Sequence, residues 1–143
     1  KVKRSKCSFA TNQIEYLGHL ISDKGISADP QKIACIQQWP TPVNIKELRG
    51  FLGLTSYYRR FIKDYGRLAR PLTDLLKKNA FQWHAGATVS FNLLKSAMSS
   101  PFVLALPDFS REFIVETAAS NNGIDAVLLQ QGRPIAFFSK ALA

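Results

Sequence analysis

Acidic side chains are scarce in this 143-residue chain: ten Asp and Glu stand against nineteen Lys and Arg, a formal charge of +9. Cysteine is scarcer still, with Cys7 and Cys35 alone, in no CxxC and at no metal-ligand spacing. That excludes a disulfide framework and suits two structural thiols in a reducing compartment. The two histidines, His19 and His84, have no Cys, His or Asp partner at ligand spacing, so a hydrogen-bonded structural role is expected of both. Ser56, Ser90 and Ser120 lack any nucleophile-activating context. No run of about 18 apolar residues is present, so no membrane span is expected. There is no initiating Met and no signal-peptide pattern, and the chain reads as a piece of something longer. Repeats and low-complexity tracts are absent. What remains is ordinary globular composition, 46% hydrophobic and 20% charged, enough for one domain or two small ones with a modest core.

The positive charge is localised. Residues 1–6 (KVKRSK) hold four cations and no anion, and residues 42–78 hold nine against three. Residues 79–143 balance at four of each. A basic first half with a neutral second half points to a polyanionic partner for the first half only. A solvated basic face would leave the same imprint.

Turn and cap signals divide the chain. "CSFATNQIEYLGHLISDKGI" reads as a β-hairpin, with a strand from Ile14 and Tyr16 through Ile21 and a turn at Asp23-Lys24-Gly25, where Gly25 supplies a positive φ. "SADPQKIACIQQWP" starts a helix with Asp29 as N-cap and Pro30 in first position, buries Ile33, Ile36 and Trp39, and stops at Pro40 and Pro42. "GRLARPLTDLLKKN" is a further helix with Leu68, Leu72, Leu75 and Leu76 inward and Lys77 and Lys78 in its last turn, Pro71 marking a kink or a start. "FQW" is a short extended piece, and "ATVSFNLLKSAMSS" a helix burying Phe91, Leu94 and Met98 until Pro101 ends it. Trp39 and Trp83 fit the core. "FVLALPDF", "EFIVETAAS", "GIDAVLLQQ" and "RPIAFFSKAL" read as strands, joined by left-handed residues at Asn121-Asn122-Gly123 and by a turn at Gly132-Arg133-Pro134.

The longest helix signal is "NIKELRGFLGLTSYYRRFIKDY", capped by Asn44 with Glu47 three residues on. At 100° per residue, Leu48, Phe51, Leu52, Thr55, Tyr58 and Ile62 form its apolar side. The opposite side carries Lys46, Arg49, Gly53, Ser56, Tyr57, Arg60 and Lys63, with Gly50 at the margin. Each interior Gly costs about 1 kcal/mol against Ala, so two of them need a reason. Close approach of another surface supplies one, whether a sugar-phosphate backbone or a neighbouring helix. With the cations and Tyr57 alongside, the balance favours nucleic acid.

"KCSF", "EYLGHLIS", "DPQKI", "WPTP", "LRGFLGLTSYYRRFI", "LARPLTDLLKK", "FQW", "PDF", "EFIVET", "AVLLQ" and "PIAFFSKAL", in this order, closely resemble the reverse transcriptase of Ty3/gypsy-type LTR retrotransposons and its retroviral relatives. The resemblance covers essentially the whole chain. It implies an α+β fold made of an N-terminal β-hairpin, a helical thumb-like bundle and a partial RNase H-like antiparallel sheet. Residues 1–26 would end the palm, with Tyr16, Leu17, Gly18 and His19 in a primer-grip-like hairpin. Residues 27–78 would form the thumb and 79–102 a linking strand and helix. Residues 103–143 would begin an RNase H or connection sheet. Lys46, Gly50, Gly53 and Tyr57 match the side of the thumb helix that tracks the minor groove in this family, and phosphate contacts would come from Arg49, Arg59, Arg60, Lys63 and residues 1–6.

Two departures qualify the resemblance. The Tyr-x-Asp-Asp turn of the polymerase site is absent, since the chain begins after its place. Where the family has Thr-Asp-Ala-Ser at the end of the first RNase H strand, this chain has Thr117-Ala118-Ala119-Ser120, and the methyl of Ala118 cannot ligate Mg²⁺. Glu116 and Asp125 lie near enough to be weighed as replacements, though solvated carboxylates are the simpler reading. The expectation is a chain without catalytic activity or cofactor (Mg²⁺ belonging to the complete parent enzyme) that binds an RNA/DNA hybrid or duplex without regard to sequence. The alternative is a host-retained interaction module, a decoy, regulator or defence factor, that takes a protein partner or a second copy along an exposed sheet edge such as "RPIAFFSK". Either would act inside the cell, in the cytoplasm or nucleus and away from membranes.

Overall fold

The computed structural model describes residues 13–101 and 103–142. The basic arm at residues 1–6 and Cys7 therefore fall outside the described residues, and Cys35 is free and exposed. Two three-stranded antiparallel sheets flank a helical bundle, in the order β1 (Gln13–Tyr16), β2 (His19–Ser22), β3 (Gly25–Ala28), α1 (Pro30–Gln37), α2 (Ile45–Tyr57), α3 (Tyr65–Asp74), α4 (Ala85–Ser99), β4 (Ile114–Ser120), β5 (Gly123–Gln130) and β6 (Arg133–Ala141). The α+β class and the sequence of sheet, bundle and sheet agree with the expectation. No helix among the described residues is long and apolar enough to cross a membrane.

The caps behave as their chemistry requires. Asp29 accepts from Gln31 N at 2.9 Å and starts α1. Asn44 accepts from Glu47 N at 2.9 Å to start α2, while the Glu47 carboxylate turns back to Val43 N at 2.8 Å, one residue earlier than a capping box would take it. His84 caps α4 through Nδ1, which accepts from Ala87 N at 3.2 Å, the structural role expected of it.

Several boundaries differ from the sequence reading. The first hairpin is a three-stranded meander, because the chain reverses at Leu17-Gly18 as well as at Asp23-Lys24. Helix α2 ends at Tyr57 and a short 3-10 turn, Arg59–Phe61, follows, so Ile62 and Lys63 are off the helix. Ile62 is nevertheless buried with Leu48, Phe51, Leu52, Thr55 and Tyr58, as the periodicity required. Helix α3 runs through Pro71 and stops at Asp74, leaving Lys77 beyond it, paired with Asp74 at 3.1 Å. Of "FVLALPDF", the described residues 103–109 form no strand, only an isolated bridge at Leu104. The β5–β6 turn is Gln131-Gly132, with Arg133 and Pro134 already in β6. At the β4–β5 turn neither Asn121, Asn122 nor Gly123 is left-handed. Ser120 Oγ instead accepts from Asn122 N at 3.2 Å.

The core belongs to the bundle. Ile36, Leu48, Phe51, Phe61, Leu72, Leu94 and Met98 are buried there, with Phe91, Leu75 and Tyr65, while Trp39 and Trp83 pack half-buried at its margin. The first sheet joins this core through a bridge: Ile26 N donates to Leu104 O and Leu104 N to Ile26 O, both at 2.8 Å. One residue later Ala105 N donates to Pro134 O at 2.8 Å, linking the same segment to β6.

Gly25 is what lets β3 approach this segment. Its φ is 132°, and a Cβ there would lie 2.2 Å from Leu104 O. Gly25→Ala should therefore lower the unfolding free energy by about 2–4 kcal/mol. Gly132→Ala, left-handed but facing open space, should cost about 1 kcal/mol. Urea unfolding of the two variants checks this, and equal losses would refute it.

Candidate nucleic-acid interface

Lys46, Gly50, Gly53 and Tyr57 form one exposed stripe down α2, about 16 Å from end to end at helical rise. Arg49 is exposed on its flank and Ser56 is half-buried. The two glycines have different reasons. A Cβ on Gly50 would come within 3.2 Å of the Trp39 ring, so Gly50 accommodates the neighbouring segment. Gly53 has nothing within 4 Å of that position. No packing inside the described chain explains a helix-weakening residue there.

Beyond the helix, Arg60 and Lys63 are exposed, Arg60 lying over the Phe61 ring at 5.2 Å. Among the described residues none of Lys46, Arg49, Arg60 or Lys63 is in an ion pair. Arg59 is the exception to the expected set. It is half-buried, its guanidinium donates to Ser139 O at 2.6 Å, and it stands 5.0 Å from the Tyr65 ring centre. Its charge fastens β6 to the bundle and does not face outward.

The stripe continues onto the Leu17-Gly18 turn. The Tyr57 hydroxyl donates to Leu17 O, and the Tyr58 hydroxyl to Gly18 O at 2.7 Å. Asp29 N donates to the same Gly18 oxygen at 3.1 Å. His19 sits half-buried beneath, its ring 5.3 Å from Tyr57, 5.6 Å from Tyr58 and 5.5 Å from Phe61. Burial, and secondarily the Arg60 guanidinium, hold the His19 pKa below its usual value. Burial, with Asp29 nearby, raises Tyr58 to about 12, so its hydroxyl keeps the proton it donates. Above this packed layer Tyr16 and Leu17 project, 62% and 68% exposed, beside the half-exposed Tyr57. Residues placed in separate sets by sequence thus form one continuous surface. Tyr58 was missed as part of it: the helical wheel placed it inside, and no local pattern shows that its hydroxyl reaches a turn forty residues earlier.

A second feature lies in the other sheet. Ala118 pairs with Asp125 across the β4–β5 ladder, and Glu116 shares their face two residues along β4. These three line an open cleft of about 270 Å³ whose other wall is Lys63 and Asp64. Asp64 is engaged with Arg67 at 2.7 Å. Among the described residues no three His, Cys, Asp or Glu side chains converge as a cation cage. The opposite face of this sheet exposes Val115, Ile124 and Phe138, and all of β4 is exposed. The edge named from sequence, β6, is partly covered, since its Pro134 and Ser139 carbonyls accept from Ala105 N and Arg59. Among the described residues the open edge is β4.

The model of the RNase H-like domain found in reverse transcriptase matches residues 83–143. An uncharacterised mitochondrial protein of Arabidopsis thaliana is 52% identical over 82% of this chain and 76% of its own length. The retrovirus-related Pol polyproteins of the Drosophila melanogaster transposons opus and gypsy are 42% and 39% identical, each over 99% of this chain. The chain spans only 16% and 15% of those polyproteins. Among solved structures, the foamy viral protease-reverse transcriptase in complex with RNA/DNA hybrid superposes with a TM-score of 0.88 at 24% identity, over 97% of this chain and 20% of the viral one. The same viral protein in complex with dsDNA gives 0.84 over 93% and 29%.

Gly53→Ala should stabilise the fold by up to about 1 kcal/mol. Gly50→Ala should gain little or lose stability, because Trp39 must shift. Thermal unfolding of the pair tests the assignment; the same gain at both positions would contradict it.

Proposed function

Since this chain belongs to the family of reverse transcriptase/RNase H-like domains related to Ty3/gypsy retrotransposon Pol polyproteins, we propose that it binds the RNA/DNA hybrid or duplex of a template-primer and carries out no chemistry on it. The observation that carries this reading is the Gly53 gap. An open, helix-weakening glycine lies between Lys46 and Tyr57 and is bordered by cations that no anion of the described chain neutralises. A duplex backbone supplies both the close approach and the counter-charge. The foamy viral structures support it, because the viral protein that contains this fold is in complex with dsDNA in one and with RNA/DNA hybrid in another. Recognition would follow groove shape and phosphate spacing and would be indifferent to base sequence. For the chemistry, Ala118 holds a methyl between Glu116 and Asp125 where this family's RNase H pattern has a carboxylate. A methyl offers no lone pair to a metal, so the residues present do not fit a two-metal site.

Fluorescence anisotropy with a labelled hybrid tests the binding. Four phosphate contacts from Lys46, Arg49, Arg60 and Lys63 predict log K falling with log salt at a slope of about −3 to −4. Gly53→Ala should weaken binding although it stabilises the fold. The hybrid should stay uncut with Mg²⁺ present, and also with Ala118→Asp. Salt-independent binding, or cleavage by either chain, overturns the reading.

The open β4 edge favours a second reading, an interaction module that adds a strand from a partner. Light scattering distinguishes it. If β4 mediates self-association, mass rises with concentration and Val115→Lys returns the chain to monomer; a monomer at every concentration removes this reading.

A further inference from the structure

Among the described residues one enclosed side-chain polar atom has no hydrogen-bond partner, and it is His19 Nε2. The ring fills the joint where the first sheet meets the bundle, 5.3 Å from the Tyr57 ring, 5.6 Å from Tyr58 and 5.5 Å from Phe61. Within its own sheet it stands opposite Tyr16 of β1 and Ala28 of β3. Of the charged groups on the elements packed here, the Arg60 guanidinium acts on the ring, while Glu15 and Asp29 act on Tyr58. Tyr58 is held up at about 12 and keeps its proton. The joint closes around the ring through Gly18 O, which accepts from the Tyr58 hydroxyl at 2.7 Å and from Asp29 N at 3.1 Å.

We propose that His19 makes this joint acid-sensitive: the neutral imidazole lets the first sheet seat on the bundle, and a proton taken from solvent onto the ring unseats it. A neutral ring can leave a bare lone pair at Nε2. Protonation turns that atom into a charged donor enclosed among aromatic rings, with a guanidinium nearby and no acceptor among the described residues. An enclosed, unpaired cationic donor costs far more than an enclosed lone pair. The titration of the ring agrees in direction. Burial first, and Arg60 second, hold His19 below its usual value, whereas hydrogen bonding to the backbone of Tyr16 and Leu17 favours the proton and is outweighed. The folded chain therefore binds this proton less readily than the unfolded chain. Its stabilisation is fully present above about pH 6.5, the value of an unperturbed histidine, and is lost as the pH falls from there through the lower folded value. The other histidine acts on a different element: His84 Nδ1 accepts from Ala87 N at 3.2 Å, so acid also weakens the cap of α4.

The inference is independent of the duplex-binding reading, and its test needs no nucleic acid. The full chain carrying His84→Asn, in which asparagine caps α4 without titrating, is compared with the same chain carrying His19→Phe as well, an aromatic ring that takes no proton. Urea unfolding is followed from pH 7.5 to pH 5. With His19 present the unfolding constant should rise by up to about tenfold per pH unit below about pH 6.5. That excess should vanish in the double variant, the carboxylates being common to both chains. Amide exchange locates the effect. Between pH 7 and pH 5.5 the Asp29 amide, whose bond to Gly18 O crosses the joint, should lose protection relative to the Leu94 amide within α4. NMR titration of the His84→Asn chain reads the His19 ring directly and decides the matter even if His19→Phe does not fold: the ring should titrate below about pH 6.5. A ring that titrates at or above that value, equal pH slopes in the two chains, or unchanged relative protection at Asp29 overturns the inference.

Discussion

Five residues where α2 breaks down, from Tyr57 to Phe61, hold the separate parts of this chain together. The hydroxyls of Tyr57 and Tyr58 reach the turn of the first sheet, and the guanidinium of Arg59 reaches the last strand of the second. Phe61 is fully buried between them. Each polar contact ends on a backbone carbonyl, so it depends on where a strand runs and not on which side chain that strand carries. Had the helix continued for another turn, these donors would have pointed along its surface in 3.6-residue rotation. Ending it directs three consecutive side chains onto two separate elements, the turn of the first sheet and β6.

The arrangement explains how a small core supports two sheets. The buried apolar residues lie almost wholly among the helices and their connecting turns, and the sheets attach by a few directed hydrogen bonds and by the Ile26–Leu104 bridge. Such bonds contribute about 1 kcal/mol each, more where a carbonyl would otherwise be stranded. The second sheet is held at β6 and left open at β4, with an apolar face uncovered. A surface of that kind is suited to a covering strand or helix. The cationic stripe lies on the helical side, and the neutral half of the sequence forms the open sheet.

A common geometry also separates the two glycines that looked alike. Gly50 makes room for Trp39, and Gly53 makes room for nothing in the described chain. Composition does not distinguish them, and the wheel sets Gly50 only at the margin of the side that carries Gly53. Arg59 and Arg60 make a similar pair, adjacent in sequence and both cationic, one turned inward to a carbonyl and the other outward.

Local chemistry was enough to place the caps at Asp29 and Asn44, the inward faces of all four helices, the positive φ of Gly25 and the existence of β4, β5 and β6 as strands. These follow from interactions within a few residues, where side-chain type and spacing decide the outcome. The sequence also displayed the methyl at Ala118 in place of a carboxylate and the basic patch along α2. It did not disclose where α2 ends, that the first hairpin folds back at Leu17-Gly18, or which edge of the second sheet is free. Those were decided by contacts between residues 40 to 80 positions apart: Tyr58 with Gly18, and Arg59 with Ser139. The Leu17-Gly18 turn, with Leu17 at φ 50°, has its carbonyls held by donors about forty residues away, and no short window of sequence contains both the turn and those donors.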